Sequence, residues 1–315
     1  MKCTCQICGE EGSHESILVK EMMAGTRESF SYFVCSACGT LQIERPIEDV
    51  SAFYDNETYS SFREVEAGRF RRLIASIRNR YALTGKGGWI GKTLNSKYPL
   101  TLAHYVFAKY AKRLDVRVLD VGCGNGKFLD LLSGTGFGRL MGIDPFIAQD
   151  SVRPGYAIRR CYINQLSEQF DIVWLHHSFE HVKNPLHDLS LIRERMTDQG
   201  VCLITVPVKG RVFEEFGASS YIIQAPHHNF LFTVKSMELL SAKASLDLVA
   251  YHQDAAGISN WLKLSDLWRR DIACAEMSKN LDGYFSEGDL RRFDSIEREL
   301  ASSGFGDNVT FVLRK

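Results

Sequence analysis

The sequence predicts an α/β fold in which helices cover a mostly parallel β-sheet, preceded by a small cysteine-rich module. From residue 101 onward, short apolar runs typical of buried strands alternate with segments of helical periodicity. A glycine-rich turn joins the first such run, residues 118–121, to a helical pattern at 127–132. Near the N-terminus, two Cys-x-x-Cys-Gly pairs indicate a metal-stabilised unit.

The composition is that of a folded protein without net charge. The 315 residues are 45% hydrophobic, which provides for a packed core and excludes fibrous and disordered classes. The 38 basic residues balance the 38 acidic ones, so we expect no nucleic-acid partner and no attraction to an anionic membrane. No run of about 18 apolar residues predicts a transmembrane segment, and no signal-peptide pattern is present. The odd number of cysteines, nine, fits a reducing compartment, so we expect a cytoplasmic protein.

The first module, residues 1–46, is predicted to be a zinc ribbon. Cys5 and Cys8 form one pair, Cys35 and Cys38 form the other, and a glycine follows each pair. Two residues between thiolates let both sulfurs reach one tetrahedral ion, and the glycine permits the tight turn around them. Four thiolates leave no open coordination position, so the zinc would be structural. Four free buried cysteines are the alternative interpretation.

Residues 47–100 are predicted to form a basic helical lid or linker. Apolar residues recur there at helical spacing, and between residues 62 and 97 nine Lys or Arg residues outnumber two Glu residues. In a neutral chain this local excess favours contact with an anionic acceptor, although a charged stretch is usually a solvated helix face. The predicted acceptor contacts from this segment are Tyr59, Arg72 and Arg80.

The glycine-rich turn predicts a site for a nucleoside-containing ligand. Glycines at a strand-to-helix bend let the backbone approach a ligand closely, and the helix N-terminus presents free amides. The next strand-like run ends at Asp144, where a carboxylate can accept hydrogen bonds from both ribose hydroxyls. The dinucleotide pattern G-x-G-x-x-G fails because Lys127 occupies its third glycine position.

The observed pattern, Asp120-x-Gly122-x-Gly124-x-Gly126, resembles that of class I S-adenosylmethionine-dependent methyltransferases. The resemblance covers about residues 101–315. It implies a Rossmann-like sheet of seven strands with the last strand antiparallel, and S-adenosylmethionine as cofactor. Asp120 and the glycines would hold the methionine portion, Asp144 the ribose, and residues near Tyr162 the adenine. The full predicted cofactor set is Asp120, Gly122, Cys123, Gly124, Gly126, Phe128, Asp144, Pro145, Tyr162, Ile163 and His176.

Later segments follow the order of this family. Residues 176–185 resemble its common Glu-His-Val-x-x-Pro stretch, and adjacent His176 and His177 end the predicted fourth strand. A capping box at Ser286 predicts a helix start within a helical insertion, residues 258–304, before the last strand. The predicted fourth, fifth, sixth and last strands are residues 170–175, 200–207, 246–251 and 308–313.

The combination of a zinc ribbon with this core resembles bacterial sugar methyltransferases of deoxysugar and surface-polysaccharide pathways. Residues 225–233 match the stretch that carries their proposed base, and His228 keeps its position. Ala225 and His227 replace the Tyr and Glu of the C-methylating members, so methyl transfer to a hydroxyl is the favoured prediction and sugar C-methylation an alternative. A zinc-ribbon ribosomal RNA methyltransferase is a further alternative, disfavoured by net neutrality.

The resemblance implies a histidine-assisted reaction on a small acceptor. The predicted base is His228, because an imidazole with a pKa near neutrality can take the hydroxyl proton. His181 is the second candidate, and His177 completes the predicted catalytic set. His227 is predicted to contact the acceptor, which we expect to be an anionic, sugar-containing small molecule.

Overall fold

The computed structural model describes residues 2–47 and 69–315, of which residues 2 and 69–72 are described as backbone only. Its first strands, β1 (Lys2–Thr4) and β2 (Glu11–Ser13), form a hairpin around the first cysteine pair. β3 (Glu15–Lys20), β4 (Ser29–Val34) and β5 (Leu41–Ile43) follow as an antiparallel sheet. The cysteine pairs therefore lie in turns at the ends of short strands, as a ribbon requires.

Three helices connect this module to the central sheet. They are α1 (Arg69–Thr84), α2 (Gly88–Lys97) and α3 (Leu102–Tyr110). Gly91 lets α1 and α2 approach closely, because a Cβ there would lie 2.7 Å from that of Tyr81. α1 also packs against α3 and the helix after the glycine turn. Within the predicted helical segment, residues 69–84 and 88–97 are helical, and the predicted role as a lid or linker stays a prediction.

The central sheet contains eight strands in the described residues. In spatial order they are β13 (Asp247–Asp254), β14 (Asn308–Arg314), β11 (Met196–Pro207), β10 (Phe170–His176), β6 (Val118–Val121), β7 (Leu140–Ile143), β9 (Tyr156–Arg159) and β8 (Ser151–Arg153). Neighbours pair in parallel except that β14 is antiparallel to both its neighbours and β8 to β9. The antiparallel last strand was predicted.

The prediction of seven strands was one short. The additional strand, β8, is a three-residue edge strand that turns back through Pro154 and Gly155, whose φ is +90°. Its sequence, Ser-Val-Arg, lacks an apolar run, and edge strands need none because one side faces solvent. Hydrophobic patterning therefore could not separate this hairpin from a loop.

Helices cover the sheet, and an insertion precedes its last strand. The helices after the third are α4 (Lys127–Thr135), α5 (Pro185–Arg195), α6 (Arg211–Phe216), α7 (Val234–Lys243), α8 (Ile258–Arg269) and α9 (Glu287–Ser303). α8 and α9 lie between β13 and β14 in the chain, and the two helices pack against each other. The Ser286 hydroxyl caps α9 by accepting from the amide of Asp289, as predicted. No helix in the described ranges has the length and apolarity needed to span a bilayer.

The N-terminal module is joined to the central fold by a shared sheet and a shared core. β12 (Phe230–Leu231), which follows β11 in the chain, pairs antiparallel with β5. Buried Ile7 and Phe33 belong to the same apolar cluster as Phe232 and Met237. The side chain of Lys243 donates to the carbonyl of Ile7 at 2.7 Å. The ribbon therefore holds the segment that follows β11.

Candidate functional site

One cavity of about 630 Å³ lies at the carboxyl ends of β6 and β10. Open α/β sheets bind ligands at this edge, because the loops after neighbouring strands converge there. The glycine turn after β6 forms one wall, and the residues after β10 form another. The lining residues used below are Met23, His104, Asp120, Gly122, Cys123, Gly124, Lys127, Phe128, Trp174, His176, His177, Glu180, His181, Tyr221, Gln224, His228 and Trp261.

The glycine turn has a backbone that larger residues would strain. Gly122, Gly124 and Gly126 have φ values of +74°, +52° and +80°. A Cβ on Gly122 would lie 2.5 Å from that of Ser178, and one on Gly126 would lie 2.7 Å from the Cδ1 of Ile158. The turn therefore needs glycine for conformation and for space, and it leaves backbone facing the cavity.

Asp120 offers the cavity a carboxyl group that a bound cation would ionise. Asp120 is the third of the four residues of β6, and it is only 4% exposed. Burial, together with the nearby Asp144, raises the pKa of Asp120 to about 8. A cationic ligand group would stabilise the carboxylate there. S-adenosylmethionine carries such groups in its ammonium and sulfonium, so this residue fits the predicted cofactor.

Asp144 has a different environment. It is buried, and its carboxylate accepts hydrogen bonds from the amides of Gly124 at 2.9 Å and Phe146 at 2.8 Å. These bonds tie the glycine turn to the end of β7. Asp144 is not among the residues that line the cavity. Its predicted contact with ribose therefore stays a prediction, and its visible role is to shape the turn.

Aromatic rings form the floor of the cavity beside the glycine turn. Phe128 stacks on Trp174 with centroids 4.6 Å apart, and Trp174 stacks on His176 at 5.5 Å. His104 on α3 packs against the same rings and bonds the hydroxyl of Thr101. Burial lowers the pKa of His104 to about 4, so it is a neutral wall of the site. Its amphipathic surroundings in the sequence gave no sign of this position.

The remaining predicted cofactor residues lie at varied distances from this cavity. Cys123 lines it, and burial raises the pKa of its thiol well above the usual range, which disfavours a nucleophilic role. Pro145, Tyr162 and Ile163 are not among the lining residues, and Tyr162 is 60% exposed. The adenine contact predicted for Tyr162 and Ile163 is therefore not visible as a wall of the cavity.

The segments after β10 and after β11 bring one carboxylate and three imidazoles to the cavity, here called the acid-histidine cluster: Glu180, His177, His181 and His228. A carboxylate oxygen of Glu180 lies 3.4 Å from the Nδ1 of His177 and 4.0 Å from the Nε2 of His228. The rings of His181 and His228 meet edge to face at 4.8 Å. All three predicted catalytic histidines therefore surround one acid that the predicted site set did not include.

Two of these imidazoles have fixed protonation patterns. The Nδ1 of His228 bonds the carbonyl oxygen of Ile222 at 2.7 Å, and the Nδ1 of His181 bonds that of His227 at 2.8 Å. A carbonyl can only accept, so both Nδ1 atoms carry protons. In the neutral rings the Nε2 atoms then carry lone pairs. Burial lowers the pKa of His228 to about 3, which keeps this ring neutral.

Glu180 is buried without a hydrogen bond. Its side chain has no exposed area, and neither carboxylate oxygen has a hydrogen-bond partner among the described residues. Burial acts to raise its pKa, but the Nδ1 of His177 at 3.4 Å and the nearby His181 and His228 outweigh burial and lower it to about 2. His177 is therefore the nearest imidazole to this acid.

The ribbon positions the acid-histidine cluster from behind. The buried hydroxyl of Tyr32, on β4, donates to the carbonyl oxygen of His228 at 2.9 Å. Asn229 donates through its side chain to the carbonyl of His181 and through its amide to that of Glu180, both at 2.8 Å. The loop after β3 also brings Met23 to the cavity, because the buried carboxylate of Glu21 accepts the amide of Met23 at 2.6 Å.

The predicted acceptor residues are not gathered at this cavity. Arg80 is exposed on α1 and His227 is buried, and neither lines the cavity. Tyr59 and the side chain of Arg72 lie outside the described residues. Other walls of the cavity are formed by Tyr221, Gln224 and Trp261. Sequence patterning did not single them out, because two lie in or directly after a short 3₁₀ turn and one on the insertion helix α8.

The four predicted zinc ligands form a compact tetrathiolate cluster. The sulfurs of Cys5 and Cys38 are 3.7 Å apart, those of Cys8 and Cys35 are 3.5 Å apart, and all four lie within 4.8 Å of one another. Four sulfurs at about 2.3 Å from a tetrahedral zinc ion would be separated by about 3.8 Å. The donor set and spacing therefore fit a structural zinc ion.

Comparison with known proteins identifies the core of the chain. Residues 67–251 match the family model described as a methyltransferase domain. The chain belongs to this methyltransferase family. Its members' chemistry agrees with the sequence pattern of the glycine turn, and the protein is an S-adenosylmethionine-dependent methyltransferase.

Solved structures give distant matches. A SAM-dependent methyltransferase from Archaeoglobus fulgidus is 19% identical, with 67% of this chain and 90% of that chain covered and a TM-score of 0.43. The cyclopropane synthase MmaA2 from Mycobacterium tuberculosis is 16% identical, with 80% and 100% covered and a TM-score of 0.42. No curated protein matches the chain. These matches therefore do not identify the acceptor of this methyltransferase.

Proposed function

We propose that this methyltransferase transfers the methyl group of S-adenosylmethionine to a hydroxyl of a small, sugar-containing acceptor. The observation that supports this best is the acid-histidine cluster, which faces the same cavity as Asp120 and the glycine turn. An alcohol is a weak nucleophile unless its proton is removed as the new bond forms. A carboxylate surrounded by imidazoles suits that task better than it suits methylation of an amine.

The cofactor half of the cavity is assigned to the glycine turn and the aromatic floor. Asp120 would hold the cationic amino-acid portion, and Phe128, Trp174 and His176 offer flat surfaces beside it. S-adenosylmethionine supplies a methyl group already activated by its positive sulfur. The protein has only to orient the acceptor oxygen in line with that group and to receive its proton.

Within the acid-histidine cluster, the geometry favours His177 over His228 as the proton acceptor. The side chain of His177 is 37% exposed and lines the cavity, whereas that of His228 is 6% exposed. Glu180 lies 3.4 Å behind the Nδ1 of His177, so a proton on Nδ1 leaves Nε2 as the basic nitrogen. The φ of His177 is +53°, a conformation that non-glycine residues rarely adopt and that is enriched at functional sites.

A sugar ring suits the acceptor side of the cavity. Tyr221 and Trp261 provide flat apolar surface, and Gln224 provides hydrogen bonds. Lys127 lines the cavity near the glycine turn, where an anionic group could be accommodated. Together with the sequence resemblance to sugar methyltransferases, these walls support a saccharide acceptor. The zinc ion proposed for the tetrathiolate cluster would be structural.

The test is methyl transfer from radiolabelled S-adenosylmethionine to three acceptor classes: nucleotide sugars, lipid-linked glycans and ribosomal RNA. We expect label on a saccharide oxygen, located by NMR of the product. His177→Ala should reduce the rate, and His187→Ala, on the exposed start of α5, should not. Label confined to RNA, or a methyl group bound to a sugar carbon, would contradict the proposal.

A further inference from the structure

Within the acid-histidine cluster, Glu180 and His228 face each other with hydrogen-bond acceptors, where a donor would be expected. Neither carboxylate oxygen of Glu180 has a hydrogen bond among the described residues, and the nearest imidazole nitrogen is the Nδ1 of His177 at 3.4 Å. The Nε2 of His228 lies 4.0 Å from one of these oxygens, and its ring proton is committed to the carbonyl of Ile222. The Nδ1 proton of His181 is likewise committed to the carbonyl of His227. Two lone pairs and one buried carboxylate therefore converge.

Such an arrangement is unfavourable without a cation. A buried carboxylate without a well-formed hydrogen bond or an opposite charge is unfavourable, because the loss of its hydration is not compensated. The Nδ1 of His177, at 3.4 Å, offsets that cost only in part, and the lone pair on the Nε2 of His228 does not offset it. A cation bound between them would satisfy all three groups at once, because each ligand atom is unprotonated and negatively polarised.

The distances allow one ion to reach all three residues. One nitrogen from each of His181 and His228 and one oxygen of Glu180 lie within 4.8 Å of one another. Ligand atoms around an ion at about 2.1 Å are separated by about 3.0 Å in an octahedron and about 3.4 Å in a tetrahedron, so modest closure of the side chains would complete the site. The hydrogen bonds from Nδ1 to backbone carbonyls are the second layer that orients metal-binding imidazoles in proteins.

We propose that Glu180, His181 and His228 bind a divalent first-row transition-metal ion in the cavity. Two imidazoles and one carboxylate suit manganese, iron, cobalt or zinc better than calcium or magnesium, which prefer oxygen ligands alone. Three protein ligands leave coordination positions open toward the cavity. This site is separate from the tetrathiolate cluster, whose four sulfurs complete a tetrahedron.

The ion gives the site a role in acceptor binding, which rests on the proposed hydroxyl methylation. An acceptor hydroxyl bound at an open position would lose its proton more readily, because the cation stabilises the alkoxide. The Glu180 oxygen nearest the Nε2 of His228 is also the one 3.4 Å from the Nδ1 of His177, so its two lone pairs can serve the ion and His177. Acceptors with two neighbouring oxygens would chelate the ion, and vicinal hydroxyls are common in sugars.

The test measures metal binding directly and does not depend on activity. Full-length protein is dialysed against EDTA under conditions that retain the cysteine-bound zinc, confirmed by elemental analysis. It is then titrated with Mn²⁺, and the free ion is counted by its paramagnetic resonance signal. We expect one equivalent to bind in addition to zinc. A Co²⁺ titration should give visible bands without thiolate charge transfer.

Variants link the signal to the proposed ligands. Glu180→Gln keeps the side-chain shape and should weaken Mn²⁺ binding at least about tenfold, since loss of even an outer-layer partner costs that much. His181→Asn should act similarly and serves if Glu180→Gln does not fold. His187→Ala, an exposed histidine outside the cavity, should bind as the wild type does. The proposed site would be overturned if no equivalent of Mn²⁺ binds to the wild type, or if folded Glu180→Gln binds Mn²⁺ with wild-type affinity.

Activity then separates this inference from the proposed function. If a saccharide hydroxyl is methylated equally fast before and after metal removal, the ion has no role in acceptor binding and that part of the inference fails. If Mn²⁺ binds as expected and no saccharide hydroxyl is methylated, the metal site stands and the proposed acceptor class fails. Methylation restored by Mn²⁺ after EDTA treatment supports both.

Discussion

The tetrathiolate cluster and the acid-histidine cluster differ in how completely their donors surround a cation. The first has four sulfurs at tetrahedral spacing, all supplied by the ribbon. The second has three converging ligand atoms on a cavity wall, supplied by residues after β10 and after β11. A metal site whose coordination positions are all filled by the protein is structural, whereas a site with an open position can also bind a substrate. The comparison separates the element that stabilises this methyltransferase from the element assigned to its chemistry.

The two clusters are also physically coupled. Thr233 donates through its hydroxyl to the carbonyl of Cys38 at 2.8 Å, and Tyr32 donates to that of His228. The same short segment, residues 228–233, thus contacts both. Damage to the ribbon is expected to reach the catalytic cavity, while damage to the acid-histidine cluster should leave the ribbon folded. Graded substitutions can test this asymmetry.

The largest expected effect comes from opening the closed cluster. Cys38→Ser removes one of the four proposed zinc ligands, and zinc binding in such sites contributes about 10 kcal/mol to folding. We expect loss of zinc by elemental analysis, a lower Tm, and loss of methyl transfer. Cys161→Ser, a half-buried cysteine outside both clusters, is the control. A Cys38→Ser protein that keeps zinc and wild-type Tm would remove the structural role of the cluster.

The next effect concerns the acid-histidine cluster. His177→Ala should lower the turnover rate by about 10² to 10⁴, the usual contribution of a positioned base, with little change in S-adenosylmethionine affinity. Zinc content and Tm should stay near wild type, in contrast to Cys38→Ser. His228→Ala is the parallel variant, because His228 is the base that the sequence predicted. A loss confined to His228→Ala would return the proton acceptor to that residue.

A third effect is expected from substitution of Asp120, which lines the same cavity. Asp120→Asn removes a charge-assisted contact worth roughly 1.5 to 3 kcal/mol, so affinity for the cofactor should fall at least about tenfold. Because the pKa of Asp120 is about 8 in the free protein, this carboxyl is largely protonated at neutral pH. A bound ammonium lowers that pKa, so binding should release a proton between about pH 5 and 8.

Calorimetry in buffers of different ionisation enthalpy measures that proton. The apparent binding enthalpy at pH 7 should depend on the buffer for wild type and not for Asp120→Asn. Asp198→Asn, whose side chain on β11 is 98% exposed, should match wild type in affinity and proton release. Buffer-independent enthalpy in the wild type, with unchanged affinity in Asp120→Asn, would place the cationic group elsewhere.

The smallest effect tests the coupling itself. Tyr32→Phe removes one buried hydrogen bond to the backbone of His228, worth about 0.5 to 1.5 kcal/mol. We expect a slightly lower Tm, a modest loss of turnover, and unchanged zinc content and cofactor affinity. Tyr251→Phe, on the exposed face of β13, is the matched control. Identical turnover in both variants would show that ribbon and cavity are joined but not functionally linked.

The sequence allowed prediction wherever the chemistry is local. The tetrathiolate ligands lie in two-residue spacings, and Asp120 lies beside its glycines, so short windows contain the whole signal. The acid-histidine cluster joins Glu180 to His228, 48 positions away, and its unsatisfied carboxylate exists only once β10 and β11 pair. His104 and Trp261 are likewise brought to the cavity by packing of α3 and α8, which periodicity alone does not reveal.

The loop after β3 has a consequence for how acceptor choice can diverge. Glu21 fixes this loop by accepting the amides of Met23, Ala24 and Thr26, so its shape is set within the ribbon. Met23 nevertheless forms part of the cavity wall. Substitutions at Met23 are therefore expected to reshape this wall of the cavity while leaving Asp120 and the glycine turn unchanged.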